Sequence, residues 1–319
     1  MTHSPDWPAL SDSDWEPTRT TLHLWTQIVG KIRLAKTPWL NHSWHVPLYV
    51  TPRGLTTSTI PDGARSVELG FDFIAHELWL ETSDAGRRTL PLRSQPVAAF
   101  YAQVRAALGE LGITVRIHET PNEIPDAVPF SADHAPRSYQ PRDAERFLQV
   151  LRQVDRLFVK FRSGFLGKCS PVHFFWGSFD HAVTRFSGRA APPHPGGPPN
   201  LPAAVTREAY SHEVSSAGFW PGDAGHDALF YSYAYPEPKG YRDVKVGPTD
   251  ARFDPQLGEF VLPYASVRAA SDPDAVVLEF LQSTYEAAAT TGGWDRDALE
   301  CPLGRPGTPR AVYPPEPRA

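Results

Sequence analysis

Proline constrains this chain more than any other residue. It occupies 34 of 319 positions, and most of those fall between segments of regular hydrophobic pattern. Lacking an amide hydrogen and holding φ fixed, proline ends helices and confines strands to edges or bulges. The tracts between prolines are therefore what can fold. "TTLHLWTQIVGKIRLAKT" places Leu22, Trp25, Ile28, Val29 and Ile32 at spacings of three and four, which is one face of an amphipathic helix that Pro38 stops. In "WHVPLYVT", Trp44, Val46, Leu48 and Val50 alternate as in a strand, and Pro47 makes it an edge or bulged one. "RGLTTSTIP", "SVELGFDF" and "HELWLETSDAGRRTLPL" supply further strands, the last pair turning at "SDAG". "SQPVAAFYAQVRAALGELG" is a second helix, with Pro96 in its first turn, Val97, Phe100, Tyr101, Val104 and Leu108 on its buried face, and Gly112 at its end.

The same order recurs downstream. A helix from about Asp143 buries Phe147, Leu151, Val154, Leu157 and Phe158, and its ending "FRSGFLGKCSP" parallels "VGKIRLAKTP". Gly167-Lys168 then matches Gly30-Lys31, Pro171 matches Pro38, and Trp176 takes the place of Trp44. "ALFYSYAYPEP" and "GEFVLPYASV" read as strands, and a closing helix starts at Ser271 to Asp274 with Val277, Phe280, Leu281 and Tyr285 inward. The expected fold is α+β, with two similar αβββα halves arising by internal duplication, each a mixed or mostly antiparallel sheet with flanking helices. The expected boundaries are an N-terminal extension over 1–17, a first half over 18–120, a Pro-rich linker over 121–142, and a second half over 143–301. A mobile loop is expected over 188–205 and a disordered Pro-rich tail over 302–319.

Charge and apolar patterning exclude several function classes. A formal net charge of -5 gives no general basic field, so nucleic-acid binding is not expected. No apolar run reaches the roughly 18 residues of a membrane span, and no charged-then-apolar leader is present, which predicts no membrane association and a cytoplasmic location. Cys169 and Cys301 are too few for a disulfide framework and lack zinc-type spacing. The chain also lacks a Gly-x-Gly-x-x-Gly turn, a Walker loop, a Gly-x-Ser-x-Gly elbow and a His-Glu-x-x-His helix.

Chemistry concentrates in "SPVHFFWGSFDHAVTRFSGR", where five of twenty residues are aromatic and His173, Asp180, His181, Arg185 and Arg189 are interleaved among them. Such groups are costly to bury without partners. If "SFDHAVTR" is a strand, Ser178, Asp180 and Thr184 face one side while Phe179, His181, Val183 and Arg185 face the other. One side is expected to line a cavity between the halves, walled by Trp44, Trp176, Phe179 and Trp220. "YSHEVSSAGFWPG" adds His212 and Glu213 beside Tyr210. Imidazole is the side chain whose unperturbed pKa lies nearest neutrality, so His212 is the expected acid–base group, oriented by Glu213 or Asp180. Lys31, Arg162 and Arg185 are the expected contacts to a small anionic metabolite, since guanidinium groups hold carboxylate and phosphate in two-pronged fashion. His42 and His45, with His173, offer a weak signal for a divalent metal centre. The three readings are an acid–base enzyme, a binding or sensor protein without turnover, and a histidine-ligated metal enzyme.

"TLHLWTQIVGKIRL", "FRSGFLGKCSPVHFFWGSFDHAVTRFSGR", "AYSHEVSSAGFWPG" and "FYSYAYPEP" together resemble a bacterial family classed as a domain of unknown function, number 5996, from about Leu22 to Trp294. The resemblance implies a single full-length family unit and no assigned activity. Its pattern implies an aliphatic residue where this chain has His181, which therefore stands outside the expected catalytic set.

Overall fold

The computed structural model describes residues 6–10 and 12–310, with backbone alone for 12–14. The first helix, α1 (Asp12–Lys36), buries Leu22, Trp25, Ile28, Val29 and Ile32. A short 3-10 turn at Asn41–Ser43 leads to β1 (Tyr49–Val50), β2 (Gly54–Thr56), β3 (Ile60–Asp62), β4 (Arg65–Asp72), β5 (Glu77–Thr82) and β6 (Arg87–Pro91). These form an antiparallel sheet in the order β1-β2-β4-β5-β6, with β3 added on β4, and α2 (Val97–Glu110) closes it. After the proline-rich segment comes α3 (Pro141–Arg162), then β7 (His173–Phe175), β8 (Asp180–Ala190), the short helix α4 (Ala203–Ala209), β9 (His212–Trp220) and β10 (Leu229–Tyr235). The chain ends in β11 (Arg252–Asp254), β12 (Glu259–Pro263), α5 (Tyr264–Ala269), α6 (Pro273–Thr291) and α7 (Arg296–Leu299). The second sheet is also antiparallel and runs β7-β8-β9-β10-β12-β11.

The fold is thus α+β with two six-stranded antiparallel sheets. Each sheet follows a long helix and precedes another, but the strand orders differ and an internal duplication is not confirmed. The edge strands that open the two sheets meet at an antiparallel bridge. Leu48 N–H donates to Phe174 O at 2.9 Å and Phe174 N–H to Leu48 O at 2.8 Å. Pro47 ends the ladder there, so β1 is far shorter than the alternation from Trp44 predicts, and Trp44 caps the 3-10 turn instead.

Two hydrophobic cores result, and α3 contributes to both. Phe147, Leu148 and Leu151 pack under the first sheet, while Val154, Leu157, Phe158 and Phe161 pack under the second. Several expected loops carry core contacts. Within the expected N-terminal extension, Trp7 packs edge-on to Phe230 at 6.4 Å in the second core, and Trp15 lies in the first. In the linker Phe130 is fully buried and Tyr139 packs on Trp25. The expected mobile loop contains the end of β8 and the start of α4. Of the expected disordered tail, residues 311–319 lie outside the described residues, while Gly304 N–H donates to Ser163 Oγ at 3.0 Å. No helix among the described residues is long and apolar enough to cross a membrane.

Phe174 is fully buried, packs edge-on to Phe179 at 5.1 Å and Phe147 at 6.2 Å, and carries the bridge between the sheets. Phe174→Ala should lower stability by about 3–5 kcal/mol. Urea unfolding followed by tryptophan fluorescence and far-ultraviolet circular dichroism should show one coincident transition at a lower midpoint. A wild-type midpoint would mean that the seam between the sheets contributes nothing.

Candidate functional site

Strand alternation splits β8 into two chemically distinct faces. His181, Val183 and Arg185 face α3 and the second core. His181 Nε2 meets Asp155 Oδ1 at 3.1 Å and its ring lies parallel to Phe158. The Arg185 guanidinium lies 3.5 Å from the Phe161 ring centre and 4.3 Å from that of Tyr285, and donates to Phe161 O. Asp180, Ala182, Thr184 and Phe186 face the other way, into a cavity of about 840 Å³.

The floor of that cavity is the open face of the second sheet, from Asp180 on β8 through Ser216 on β9 and Tyr231 and Tyr233 on β10 to Glu259 on β12. Its roof comes from α4 and the preceding proline-rich loop, and its far wall from the end of α1 and the turn that follows. The roof is tied down by polar contacts: Glu208 Oε1 accepts from His42 N–H at 2.9 Å, and Glu123 N–H donates to Pro199 O at 2.8 Å. Trp176 closes the seam beside α1. Its indole N–H donates to Val46 O at 2.9 Å, and a Cβ on Gly30 would stand 2.1 Å from the indole, so this approach needs glycine.

At the sheet end of the cavity three carboxyl groups gather without a cation. Tyr231 reaches from β10 across β9 to donate its hydroxyl hydrogen to Asp180 Oδ2. The crossing is possible because Gly218 lies beneath the ring, where a Cβ would come within 2.3 Å of the Tyr231 hydroxyl. Asp180 is 6% exposed, and its Oδ1 has no hydrogen-bond partner among the described residues. Burial, reinforced by the nearby Glu123 charge and opposed by the Tyr231 hydrogen bond, lifts the Asp180 pKa to about 7. Burial, with the Asp180 and Asp254 charges, lifts Glu259 to about 7 as well. Glu123 is raised by burial against the hydrogen bond it accepts from Ser178 Oγ at 2.9 Å. None of the three is in an ion pair with a Lys, Arg or His among the described residues. Around them, Tyr210 and Tyr233 share a hydroxyl contact of 2.7 Å, and Thr184 and Ser216 one of 2.9 Å.

The opposite end is basic. Lys31 is buried, which lowers its pKa to about 8, and its ammonium donates to Thr120 O at 2.8 Å, 5.9 Å from the Trp176 ring centre. Lys168 donates to His42 Nε2 and lies 4.8 Å over Phe186 and 5.6 Å over Trp44. An ammonium can only donate, so His42 carries its hydrogen on Nδ1 and gives it to Ala209 O at 2.8 Å.

The structure brings Asp180, Lys31, Trp44, Trp176, Trp220, Tyr210, His42 and His173 to this one cavity. It does not bring the remaining expected site residues there. Arg185 points into the second core because it shares the parity of His181, and Arg162 Nε donates to Ser170 O at 2.6 Å. Phe179 closes the tight turn into β8 in a left-handed conformation and stacks on Phe147 in the first core. His45 packs on Trp39 and accepts from Leu40 N–H at 3.2 Å. Glu213 cannot orient His212, because neighbours on a strand point apart. Its carboxylate instead receives Ser187 Oγ and the Arg189 guanidinium, while His212 Nδ1 meets Ser211 Oγ at 3.0 Å. The expected histidine metal centre is not assembled: His42 Nε2 is occupied by Lys168, and His173 Nδ1 bonds Pro171 O. Among the described residues no three His, Cys, Asp or Glu side chains come together to hold a metal.

Sequence reasoning missed Tyr231, Tyr233, Glu259 and Glu123. The period-two tyrosines of "YSYAY" did mark a polar aromatic strand face. Glu259 and Glu123 left no comparable sign, since a glutamate after a glycine or within a proline-rich segment reads as solvated surface.

A protein-family model described as a family of unknown function, DUF5996, matches residues 7–301. No curated protein and no solved structure matches the chain. The match spans both sheets, α3 and every cavity-lining residue named above, and on that basis the chain belongs to the DUF5996 family.

Proposed function

We propose that this protein is an enzyme that holds a small molecule in the aromatic cavity over its second sheet and acts on it by general acid–base chemistry, with Asp180 transferring the proton. The observation that carries this reading is the placing of Asp180: its side chain lines the cavity, one oxygen is fixed by Tyr231 and the other is buried without a hydrogen-bond partner among the described residues. A carboxyl with a pKa near 7 is populated in both forms at neutral pH, as proton transfer in either direction requires. The role given in sequence to His212 and Glu213 passes to Asp180, with Glu259 as the second carboxyl of the same floor. Of the cations expected to hold an anion, Lys31 alone lines the cavity, and its ammonium already serves Thr120 O.

Two outcomes follow. In the folded protein the Asp180 pKa is about 7 against an ordinary carboxyl value of 3.8, so the folded state binds more protons than the unfolded state between those values. Stability from this group is full below about pH 4 and lost as pH rises through about 7. Asp180→Asn removes that loss while keeping an acceptor for Tyr231. Its melting temperature relative to wild type should therefore rise between about pH 5 and 8, by roughly 5 °C. A constant difference across that range would show that Asp180 ionises as an ordinary carboxyl.

The second outcome is kinetic. On a substrate found by screening ligands that co-purify in native mass spectrometry, Asp180→Asn should lower kcat by about 100-fold or more with KM little changed. Wild-type turnover in that variant would remove Asp180 from the chemistry. A co-purified ligand that is never turned over would favour a binding protein.

A further inference from the structure

The cavity is electrostatically polarised, and its two ends treat their aromatic rings differently. At the basic end the ring faces are already served by the protein's own cations, Lys31 near Trp176 and Lys168 over Trp44 and Phe186. At the sheet end Tyr210, Tyr231, Tyr233 and Trp220 line the cavity beside Asp180, Glu123 and Glu259, and no Lys or Arg of the described residues lies over any of those four rings. Aromatic faces and carboxylates attract positive charge by separate mechanisms, quadrupole and Coulomb, and desolvation strengthens both. Here both converge on one region in which none of the three carboxyls is ion-paired with a Lys, Arg or His among the described residues. Asp180 Oδ1 is buried with no hydrogen-bond partner among the described residues, on a side chain 6% exposed whose carboxyl is oriented by the Tyr231 hydrogen bond on its other oxygen.

We infer that the ligand of this cavity carries a cationic nitrogen on an apolar or aromatic body, with the nitrogen seated among Asp180, Glu259 and the tyrosines of β10 and the body lying along the tryptophan wall. The inference rests on the cavity being the functional site, and it replaces the anionic metabolite expected from the arginine count. Arg162 and Arg185 serve a backbone carbonyl and the second core, so of the three cations that suggested an anion only Lys31 lines the cavity, with its ammonium on Thr120 O. An ammonium ligand would supply the ion pairs that the three carboxyls lack. A neutral or anionic one would leave the buried Asp180 and the half-buried Glu259 without a counter-charge, which is the costly arrangement.

The test is titration calorimetry on the full chain at about pH 8, above the pKa of about 7 reached by Asp180 and Glu259, so that the carboxyls are ionised. The probes are benzylammonium, benzyl alcohol and benzoate, which share a ring and differ in charge. Benzylammonium should bind about tenfold or more tightly than either of the others. Asp180→Asn should weaken it by about tenfold while leaving benzyl alcohol unchanged. Glu259→Gln should weaken it in the same direction, and serves as the second variant should Asp180→Asn fail to fold. Benzoate or benzyl alcohol binding as tightly as the cation would overturn the inference, as would no binding by any probe or a cation affinity indifferent to both substitutions. The acid–base assignment is scored separately by turnover. An absence of cation preference leaves it standing, whereas an Asp180→Asn protein that loses the cation yet keeps wild-type kcat removes it and leaves the cation site.

Discussion

A single helix with apolar residues aimed at two cores holds the rest of the molecule in place. Phe147, Leu148 and Leu151 of α3 complete the core beneath the first sheet, and one turn later Val154, Leu157, Phe158 and Phe161 complete the core beneath the second. Neither sheet can shift without moving α3, and the bridge between Leu48 and Phe174 fixes their edges in register. Fully packed interiors deform little, so this coupling makes the junction of the two sheets a rigid place. The cavity sits at that junction. Its far wall comes from α1 and the turn behind it, its floor from β8 to β12, and its position depends on the seam more than on either sheet alone.

The seam also explains why polar groups end up buried. Trp176 lies flat on Gly30 of α1 and Glu123 lies against Gly177, where a Cβ would stand 2.2 Å from its carboxylate. The Trp176 contact brings ring and backbone closer than any residue but glycine permits, while a side chain at 177 would have to displace the Glu123 carboxylate. The result is a dry region in which carboxyls shift upward and a lysine downward, both through loss of water. The common cause shows in the direction: every one of these groups moves toward its neutral form.

The fold was legible in sequence wherever burial was one-sided. The apolar faces of α1, α2, α3 and α6 stood at helical spacing, and each is buried where that spacing placed it. The cap of α6 was equally plain, with Asp272 accepting from Ala275 N–H at 3.0 Å. What pattern could not give was which polar strand face meets water, which a cavity and which a core. The alternation across β8 separated Asp180 and Thr184 from His181 and Arg185, but nothing in the order of residues says that an arginine will lie between Phe161 and Tyr285. Those rings come from α3 and α6, 24 and 100 positions away, and only tertiary structure joins them. Pro47 misled in the other direction, because the alternation around it continued while the hydrogen-bonding it forbids did not.

The costly residues of the central strand are in the end resolved differently on its two faces. On the core face Arg185 keeps its charge because two aromatic faces and the Phe161 carbonyl replace water, an arrangement that contributes to packing and needs no ligand. On the cavity face Asp180 accepts a hydroxyl hydrogen on one oxygen, and its other oxygen has no hydrogen-bond partner among the described residues. A side chain whose partners are all supplied by the protein is accounted for by folding. Asp180 is not accounted for in that way, and this asymmetry within a single strand is what supports the role proposed for it, while Arg185 belongs to the core.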